Sequence, residues 1–366
     1  MWSLFPYVWA AIFCFMVAVF GIEVFTKWKI LDKPGPDVPA RAGVPNMQGI
    51  FLILGFVGSM LIFFPEYLHQ KQFLGLLFGS VLIGLVETVD TIIGLNYTGL
   101  KTRGLNKKIR LLAQIIAIFI AMFIGGISIE SFSIGGRTVG VPFVLAAIIL
   151  IIWFTGFTNA INWIDGVNAL SSWLSTIGFL TIYLLLQQVV FPSYPNIGAE
   201  SAATLSMITN VAFVMTVLGI IYTTIEYKPI GRLRDIGTMF LGFVLAYVAL
   251  LGGAKIGTIL VALSIPIFDA IWVFINRIFI MKKSPLKGDY THIHYRLLAL
   301  GWNRHEIRRF VRGWSIFFMV IILLQWTDRL AKIIIFIMMF LIFFGVHIYL
   351  FWIKKMPMEY KLPEKK

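Results

Sequence analysis

The chain has 366 residues, of which 59% are hydrophobic and 13% charged, and its mean hydropathy is +0.89. One soluble core cannot cover that much apolar surface, so a water-soluble globular protein is excluded and an integral membrane protein is indicated. The formal net charge is +14. The basic residues lie in the connections between apolar runs, so we attribute the excess to membrane topology and exclude nucleic acid as a partner.

Eleven apolar runs are each close to the ~20 residues that a helix needs to cross a bilayer. They predict an all-α, polytopic membrane bundle that forms a single domain over residues 1–366, with C-terminal membrane helices within residues 312–353. The predicted spans are 4–26, 47–64, 72–90, 110–129, 141–158, 169–191, 202–225, 237–253, 256–280, 312–327 and 330–353.

The orientation follows from the basic residues. Most of the 31 Lys and Arg residues lie in one alternating set of connections, which the positive-inside rule places in the cytoplasm. The N-terminus is then outside and the C-terminus cytoplasmic. Most of the 17 Asp and Glu residues lie on the same inner side, although acids orient membrane proteins only weakly. A divalent cation site flanked by anion-binding bases would explain them.

The first inner connection reads D-K-P-G-P-D-V-P-A-R-A-G-V-P-N-M-Q-G from Asp32 to Gly49. Its prolines predict a stiff, non-helical loop. Arg41 and Asn46 could contact a ligand from this loop, and an ordinary Pro-rich connection is the alternative.

Two acids mark the inner end of the third span. Glu87 and Asp90 are three residues apart, which places both carboxylates on one helical face, where they repel unless a cation or a proton intervenes. They could bind Mg²⁺ or position a base. Arg110 opens the fourth span and is a candidate phosphate-binding residue.

A polar stretch, N-A-I-N-W-I-D-G-V-N-A-L, runs from Asn159 to Leu170 between two apolar runs. Asn159, Asn162 and Asp165 recur every three residues, which at helical spacing places them in a row. Polar groups at a membrane surface cost free energy unless water, a partner or a ligand satisfies them. The stretch therefore predicts a site, with a hydrated helix end as the alternative.

Two further acids lie near the same side. Asp235 opens the eighth span, where it could cap the helix or bind Mg²⁺. Asp269 lies inside the ninth span, after Pro266, and an acid within an apolar helix indicates function. We expect it to pair with Arg277 or with another cation of the inner face.

The last inner connection contains H-I-H-Y-R-L, in which His292, His294 and Arg296 alternate. An extended segment would point all three the same way. Imidazolium and guanidinium groups donate charge-assisted hydrogen bonds, so the cluster suits a diphosphate better than zinc.

With these residues, the chain resembles the polyprenyl-phosphate N-acetylhexosamine-1-phosphate transferases (glycosyltransferase family 4). The resemblance extends from Asp32 to Gly301 and includes five motifs in the family's order. The matching segments are Pro45–Gly49, Asn159–Leu170, Asp235–Thr238, Pro266–Asp269 and His292–Leu297.

The resemblance implies a membrane enzyme that transfers a sugar-1-phosphate from a UDP-sugar to a polyprenyl phosphate, such as undecaprenyl phosphate, and releases UMP. It implies Mg²⁺, with Mn²⁺ as an alternative, and an active site at the cytoplasmic face of the plasma membrane. Asp235 and Asp165 are the predicted metal ligands. The predicted catalytic residues are Glu87, Asp90, Asp165 and Asp235, and the predicted substrate-binding residues are Arg41, Asn46, Arg110, Asn159, Asn162, Asn168, Asp269, His292, His294 and Arg296.

The chain departs from the family pattern at several positions. The largest departure is the adjacent Asp pair near the third span, for which either Glu87 or Asp90 is the counterpart. Single replacements are Gln48, Arg234 and Ala169 at family glycines, Asn168 at an Asp, and Tyr295 at a His.

The H-I-H-Y-R-L segment and the eleven spans are closer to the enzymes that start teichoic acid, O-antigen or common-antigen chains. Phospho-MurNAc-pentapeptide transferases typically have three consecutive His and ten spans. That activity is the first alternative, and a non-catalytic transporter or lipid-binding membrane protein is the second. The sequence specifies neither the sugar nor the oligomeric state, and a homodimer is left open.

Overall fold

Each predicted apolar run contains an α-helix in the computed structural model, which describes residues 4–32, 43–95, 104–134, 137–190, 198–252, 260, 263–282, 291–324 and 329–349. The predicted site residue Arg41 lies outside these ranges. The helices are α1 (Phe5–Lys27), α2 (Gly49–Phe63), α3 (Lys71–Leu95), α4 (Lys107–Phe123), α5 (Phe143–Trp163), α6 (Leu170–Leu185), α7 (Ala199–Tyr227), α8 (Arg234–Leu251), α9 (Ser264–Ile275), α10 (Ile293–Ala299), α11 (Arg304–Leu324) and α12 (Arg329–Ile348).

Six helices among the described residues are long and apolar enough to cross a membrane. They are α1, α3, α5, α6, α7 and α8, with bounds that shift by a few residues at some ends. The prediction of an all-α, multi-pass membrane protein is therefore confirmed. The count of eleven crossings and the direction of the two termini stay predictions.

A small β-hairpin between α4 and α5 was not predicted. Its strands are β1 (Ser131–Ile134) and β2 (Arg137–Gly140), which pair antiparallel with Ser131 opposite Gly140 and Ile134 opposite Arg137. Four residues per strand are too few for a clear alternating pattern, so the sequence reads as a loop.

Helix α8 is the centre of the bundle. Beyond its first turn its sequence is apolar on every side, and all residues from Ile236 to Ala249 are buried. A helix that is apolar all round is either enclosed by protein or in contact with lipid. Helix α8 is enclosed, since it packs against α2, α3, α5, α6 and α7. Asp235, in its first turn, is therefore held at the middle of the bundle's end.

Glycines bring two neighbours very close to α8. A Cβ at Gly242 would lie 2.7 Å from the Cα of Thr158 in α5, and a Cβ at Gly49 in α2 would collide with the backbone nitrogen of Gly237. Close approach at small residues is a main source of helix packing in membranes. It fixes the ends of α2 and α5 beside the start of α8.

The end of the Pro-rich loop is joined to the α7–α8 connection. Gln48 N donates to Arg232 O at 2.8 Å, and Arg232 N donates to Pro45 O at 2.9 Å. A bridge between Leu31 and Pro45 closes the loop at its base. Residues far apart in the chain thus hold the turn that precedes Asp235.

Two of the replaced family glycines adopt left-handed backbone conformations. Arg234 has φ +58° and Ala169 has φ +67°. A side chain costs about 1–2 kcal/mol in this region, whereas glycine enters it freely. The left-handed backbone thus explains why the family motif has glycine at each of these two positions.

We expect Ala169→Gly to raise the free energy of unfolding by about 0.5–1 kcal/mol, because relief of the left-handed strain exceeds the entropy that glycine adds to the unfolded chain. Thermal unfolding of the purified protein in detergent measures the change. Ala212→Gly, inside buried α7, is the matched control and should lower stability by about 1 kcal/mol or more. A loss of stability in both variants would contradict this account of Ala169.

Candidate active site

One arginine and three acids form the core of the site. The Arg110 guanidinium lies 2.6 Å from Glu87 Oε2, 2.8 Å from Asp235 Oδ2 and 3.4 Å from Asp90 Oδ2. Arg110 Nε also donates to Glu87 Oε1 at 3.0 Å. Helices α3, α4 and α8 therefore meet at one cation, and we call these four residues the Arg110 cluster.

The local sequence explains how Arg110 reaches the acids. Asn106 caps α4 by accepting a hydrogen bond from Lys108 N at 2.9 Å, which puts Arg110 in the first turn. Asp90 Oδ1 accepts from Leu105 N at 2.6 Å. Gly104, at φ +69°, leaves room for this carboxylate, because a Cβ there would lie 2.6 Å from Asp90 Oδ1. Asp90 thus anchors the turn that presents Arg110.

The Arg110 cluster contains oxygen atoms that could act as ligands of a divalent cation. Carboxylate oxygens of Glu87, Asp90 and Asp235 lie within 4.8 Å of one another. Three carboxylates face one guanidinium, so negative charge remains in excess, and oxygen ligands are what Mg²⁺ requires. Glu87 is only 1% exposed, so water does little to screen the repulsion. The residues present therefore fit a bound Mg²⁺.

A cavity of about 280 Å³ opens beside the cluster. Its lining combines acids, bases and amides with a few apolar side chains, a mixture suited to a charged ligand with an orienting set of hydrogen bonds. The lining residues are Lys107, Arg110, Leu111, Gln114, Asn159, Asn162, Trp163, Asp235, Met239, Arg277 and His292.

Two of the predicted amides line the cavity from the end of α5. Asn159 Nδ2 donates to Gln114 Oε1 at 3.0 Å, and Asn162 Nδ2 donates to Thr238 Oγ1 at 2.8 Å. The predicted row is thus helical over Asn159 and Asn162. It then passes into a 3-10 turn, Ile164–Gly166, that directs Asp165 elsewhere.

Asp165 belongs to a second ionic group. Its Oδ1 accepts from Ser171 Oγ at 2.6 Å, and its Oδ2 lies 3.6 Å from Arg232 Nη2. Arg232 Nη1 donates to Asp32 Oδ2 at 2.9 Å. Burial lowers the pKa of the Arg232 guanidinium, but Asp165, Asp32 and Glu226 together raise it above its usual value. Arg232 is therefore a permanent cation that fixes Asp165, and the role of Asp165 as a metal ligand stays a prediction.

Asp269 holds His292 in place. His292 Nδ1 lies 2.8 Å from Asp269 Oδ2, and Ile293 N donates to Asp269 Oδ1 at 2.7 Å. The partner of Asp269 is thus the His292 ring, while the Arg277 guanidinium lies 5.8 Å from the Trp163 ring centroid and lines the cavity. With Nδ1 committed to Asp269, His292 keeps Nε2 for another partner.

The expectation of an extended H-I-H-Y-R-L segment was wrong. Only His292 is extended, and helix α10 begins at Ile293. The His292 and His294 rings are still nearly parallel, at 4° with centroids 5.8 Å apart. A short apolar helix is favoured here because Leu297 and Ile293 pack on the core.

His294 and Arg296 are buried with unused hydrogen-bonding capacity. Both ring nitrogens of His294 and all three guanidinium nitrogens of Arg296 have no hydrogen-bond partner among the described residues. Gly166 allows this packing, since a Cβ there would collide with the His294 ring. Buried polar groups without hydrogen-bond partners cost free energy, so their presence often indicates a binding site for a ligand or water.

Asn46 and Asn168 were also predicted to bind substrate. Asn46 is fully buried and its Oδ1 accepts from Met47 N at 2.9 Å, while its Nδ2 has no partner within the described ranges. Asn168 is half-buried next to the left-handed Ala169. Neither residue is among those that line the cavity.

Several residues of the site were missed from the sequence. Gln114 follows Arg110 by four residues on the same face of α4, a signal that could have been read. Thr238 and Arg277 were noted only as a motif match and as a partner for Asp269. Trp163 and Lys107 gave no signal, because one looks like an ordinary membrane aromatic and the other belongs to a basic run.

Comparison with known proteins gives the family. The model of glycosyl transferase family 4 matches residues 73–253, which include Glu87, Arg110, Asp165 and Asp235. The resemblance to this family that the motifs indicated is therefore confirmed.

Three relatives illustrate its range. The chain is 25% identical over 333 residues to the probable undecaprenyl-phosphate N-acetylglucosaminyl 1-phosphate transferase of Bacillus subtilis (strain 168), covering 86% of this chain and 83% of that one. It is 27% identical to the phospho-N-acetylmuramoyl-pentapeptide-transferase of Staphylococcus haemolyticus (73% and 80% covered) and 26% identical to that of Staphylococcus aureus strain MSSA476 (73% and 80%).

The burial of His294 predicts a pH dependence of stability. Burial, and then the neighbouring His292, lower the pKa of His294 to about 3. The folded state therefore binds fewer protons than the unfolded state between that pKa and the ordinary His value. The contribution of neutral His294 to stability is therefore fully present at a pH above the ordinary His pKa, and it is lost as the pH falls below that value.

From pH 7.5 to 5.5 the free energy of unfolding should fall by about 1 kcal/mol through His294. His294→Gln should remove this part of the slope in detergent unfolding experiments. His69→Gln, at an exposed position away from the H-I-H-Y-R-L segment, is the control and should leave the slope as it is. An unchanged slope in His294→Gln would contradict a buried neutral imidazole.

Proposed function

We propose that the protein transfers an N-acetylhexosamine-1-phosphate from a UDP-sugar to a polyprenyl phosphate of the membrane and releases UMP, at the cytoplasmic face. The observation that carries the proposal is the Arg110 cluster, in which acids of α3 and α8 and a base of α4 meet beside a polar cavity. The activities named for the relatives support it, since each is a transfer of this kind.

The reaction brings two anions together, so positioning and charge are its main demands. Mg²⁺, held by Asp235 with Glu87 and Asp90, would neutralise and polarise the diphosphate. Mn²⁺ has the same ligand preferences and is the alternative. In this proposal Asp165 supports the site through Arg232 instead of binding the metal.

The bases of the cavity orient the nucleotide. Arg277 and His292 line it together, and Asp269 fixes the His292 ring so that one nitrogen remains available to a phosphate oxygen. Arg296 and His294, which have no hydrogen-bond partner in the described parts of the chain, supply further donors for the diphosphate or the sugar. Asn159 and Asn162 contribute amide groups from the opposite wall.

Glu87 is the acid that we assign to the lipid phosphate. It is buried and directs both carboxylate oxygens at Arg110, whereas Asp90 commits one oxygen to Leu105 N. Glu87 is thus placed to position Arg110 relative to the incoming lipid phosphate. It can also accept a proton from that phosphate when the phosphate is protonated. Asp90 mainly builds the turn.

An apolar groove supports the lipid half of the proposal. A cavity of about 180 Å³ lies between α5 and α9 and is lined by Ile152, Trp153, Gly156, Phe157, Ala160, Leu260, Ile267, Ala270 and Ile271. Its α5 wall ends at Ala160, two residues before Asn162. A prenyl chain in this groove would carry its phosphate towards the polar cavity.

Asp235→Asn should abolish transfer while the protein remains folded in the membrane, because the variant loses the charge that holds the cation. The assay follows radiolabelled lipid and UMP from UDP-N-acetylglucosamine, undecaprenyl phosphate and Mg²⁺. Glu200→Gln, exposed at the far end of α7, is the control and should retain full activity. Full activity in Asp235→Asn would refute the metal assignment.

Substitutions of the two acids of α3 should differ. Glu87→Gln should lower kcat by about a hundredfold or more, the typical scale for a group that acts in the transition state. Asp90→Asn should cost about tenfold or less, together with a loss of stability, because Asp235 and Glu87 keep their charges for the cation while the amide weakens the anchor to Leu105. Equal losses would contradict the separate roles.

The sugar is tested with a panel of UDP-sugars in the same assay. UDP-N-acetylglucosamine is the expected donor, and turnover only with UDP-MurNAc-pentapeptide would instead establish the activity of the staphylococcal relatives. A protein that forms no lipid-linked sugar with any donor would be a transporter or lipid-binding protein, and the proposal would fail.

A further inference from the structure

A second cluster of cations lies apart from the active site, at the start of α11. The Arg308 guanidinium lies 4.8 Å from the centroid of the Tyr227 ring, and that of Arg312 lies 5.0 Å from the same centroid. Arg312 also lies 4.9 Å from the Trp173 ring centroid. The two arginines are four residues apart on one face of α11, where they converge on the aromatic end of α7.

The charge of this pair is not balanced by an acid of the described residues. Arg308 is 8% exposed, its Nη2 donates to His305 Nδ1 at 3.3 Å, and its Nε has no hydrogen-bond partner among the described residues. The Arg312 Nε atom is likewise buried without one. Two guanidiniums on one aromatic ring repel each other in a poorly hydrated place.

The nearest acids along the chain are already engaged. Glu306 Oε2 accepts from Asn303 N at 2.7 Å, and Asn303 Oδ1 in turn accepts from His305 N and Glu306 N, which forms a capping box for α11. Glu226 accepts from Ser172 Oγ and from Leu233 N. Neither carboxylate is available to the two arginines.

The surroundings match the headgroup level of a membrane. Helix α11 is basic in its first turns and apolar afterwards, with exposed Phe317, Val320 and Leu324 on its surface. Trp302 contacts Phe310 beside the basic turns, with ring centroids 5.7 Å apart. Aromatic side chains of this kind gather at membrane interfaces. Tyr227 ends α7 shortly before Asp235, so this surface and the active site lie at the same end of the bundle.

We propose that Arg308, Arg312 and Tyr227 form a binding site for the phosphate of an anionic phospholipid headgroup. A phosphate oxygen anion accepts charge-assisted hydrogen bonds from both guanidiniums, and the tyrosine hydroxyl adds a donor. The acyl chains then lie along the apolar part of α11. Basic pockets between membrane helices bind anionic lipids in this way.

The experiment uses the purified full chain in neutral detergent. Native mass spectrometry counts phosphatidylglycerol that stays bound, with phosphatidylcholine as the zwitterionic comparison. The double variant R308Q/R312Q should bind phosphatidylglycerol roughly thirtyfold more weakly, since each arginine contributes about a factor of five near an anionic surface. Excess inorganic phosphate should not displace the lipid.

R309Q is the matched control, because Arg309 is exposed and is not among the arginines near Tyr227. It should retain the lipid as the unchanged protein does. Equal retention by R308Q/R312Q, an equal loss in R309Q, or displacement by inorganic phosphate would each overturn the proposal.

A folding defect is separated from a binding defect by two further measurements. Thermal unfolding in phosphatidylcholine should show R308Q/R312Q folded, and only the unchanged protein should gain stability when phosphatidylglycerol is added. R308K/R312K keeps the charge but loses the planar stacking on Tyr227, and it should recover part of the binding. No recovery, with normal folding, would count against an anionic ligand.

Discussion

Three carboxylates that meet at one guanidinium set the conditions for the rest of this structure. Glu87, Asp90 and Asp235 come from two largely apolar helices, and the burial of Glu87 strengthens the repulsion among the three acids. Arg110 compensates part of that repulsion. The three carboxylates still carry more charge than one guanidinium can neutralise, which favours the binding of a second cation. The packing of α8 at the centre of the bundle, the cap of α4 and the turn at Gly104 all serve to keep these four groups together.

The sequence predicted the helices well, because each apolar run is long and the loops between them are basic or rich in proline. It also identified both acids of α3, the acid that opens α8 and the amides of α5, since their spacing places them near helix ends. It could not pair Arg110 with Asp235 or Asp165 with Arg232, because partners distant in the chain leave no local pattern. The β-hairpin was missed for another reason, because its strands are too short to give a clear alternating pattern.

The histidine segment shows how a local pattern can mislead. Alternation of His292, His294 and Arg296 suits a strand, but none of the described residues forms a strand beside the segment, and the core contact of Leu297 favours a helix. Tertiary packing therefore decided its conformation. The replaced glycines were noted from the motifs, yet their left-handed backbone at Ala169 and Arg234 is visible only in the structure.

The hydrogen bonds between residues 45–48 and Arg232 have a consequence for how the family varies. The family model matches the chain from residue 73 onwards. The turn before Asp235 is nevertheless held by hydrogen bonds to backbone atoms of residues 45 and 48, which precede the matched region. A swap of the leading segment between two such proteins would therefore shift Asp235 unless the α7–α8 turn were exchanged with it. The two stretches form one structural unit, although nearly two hundred residues separate them along the polypeptide.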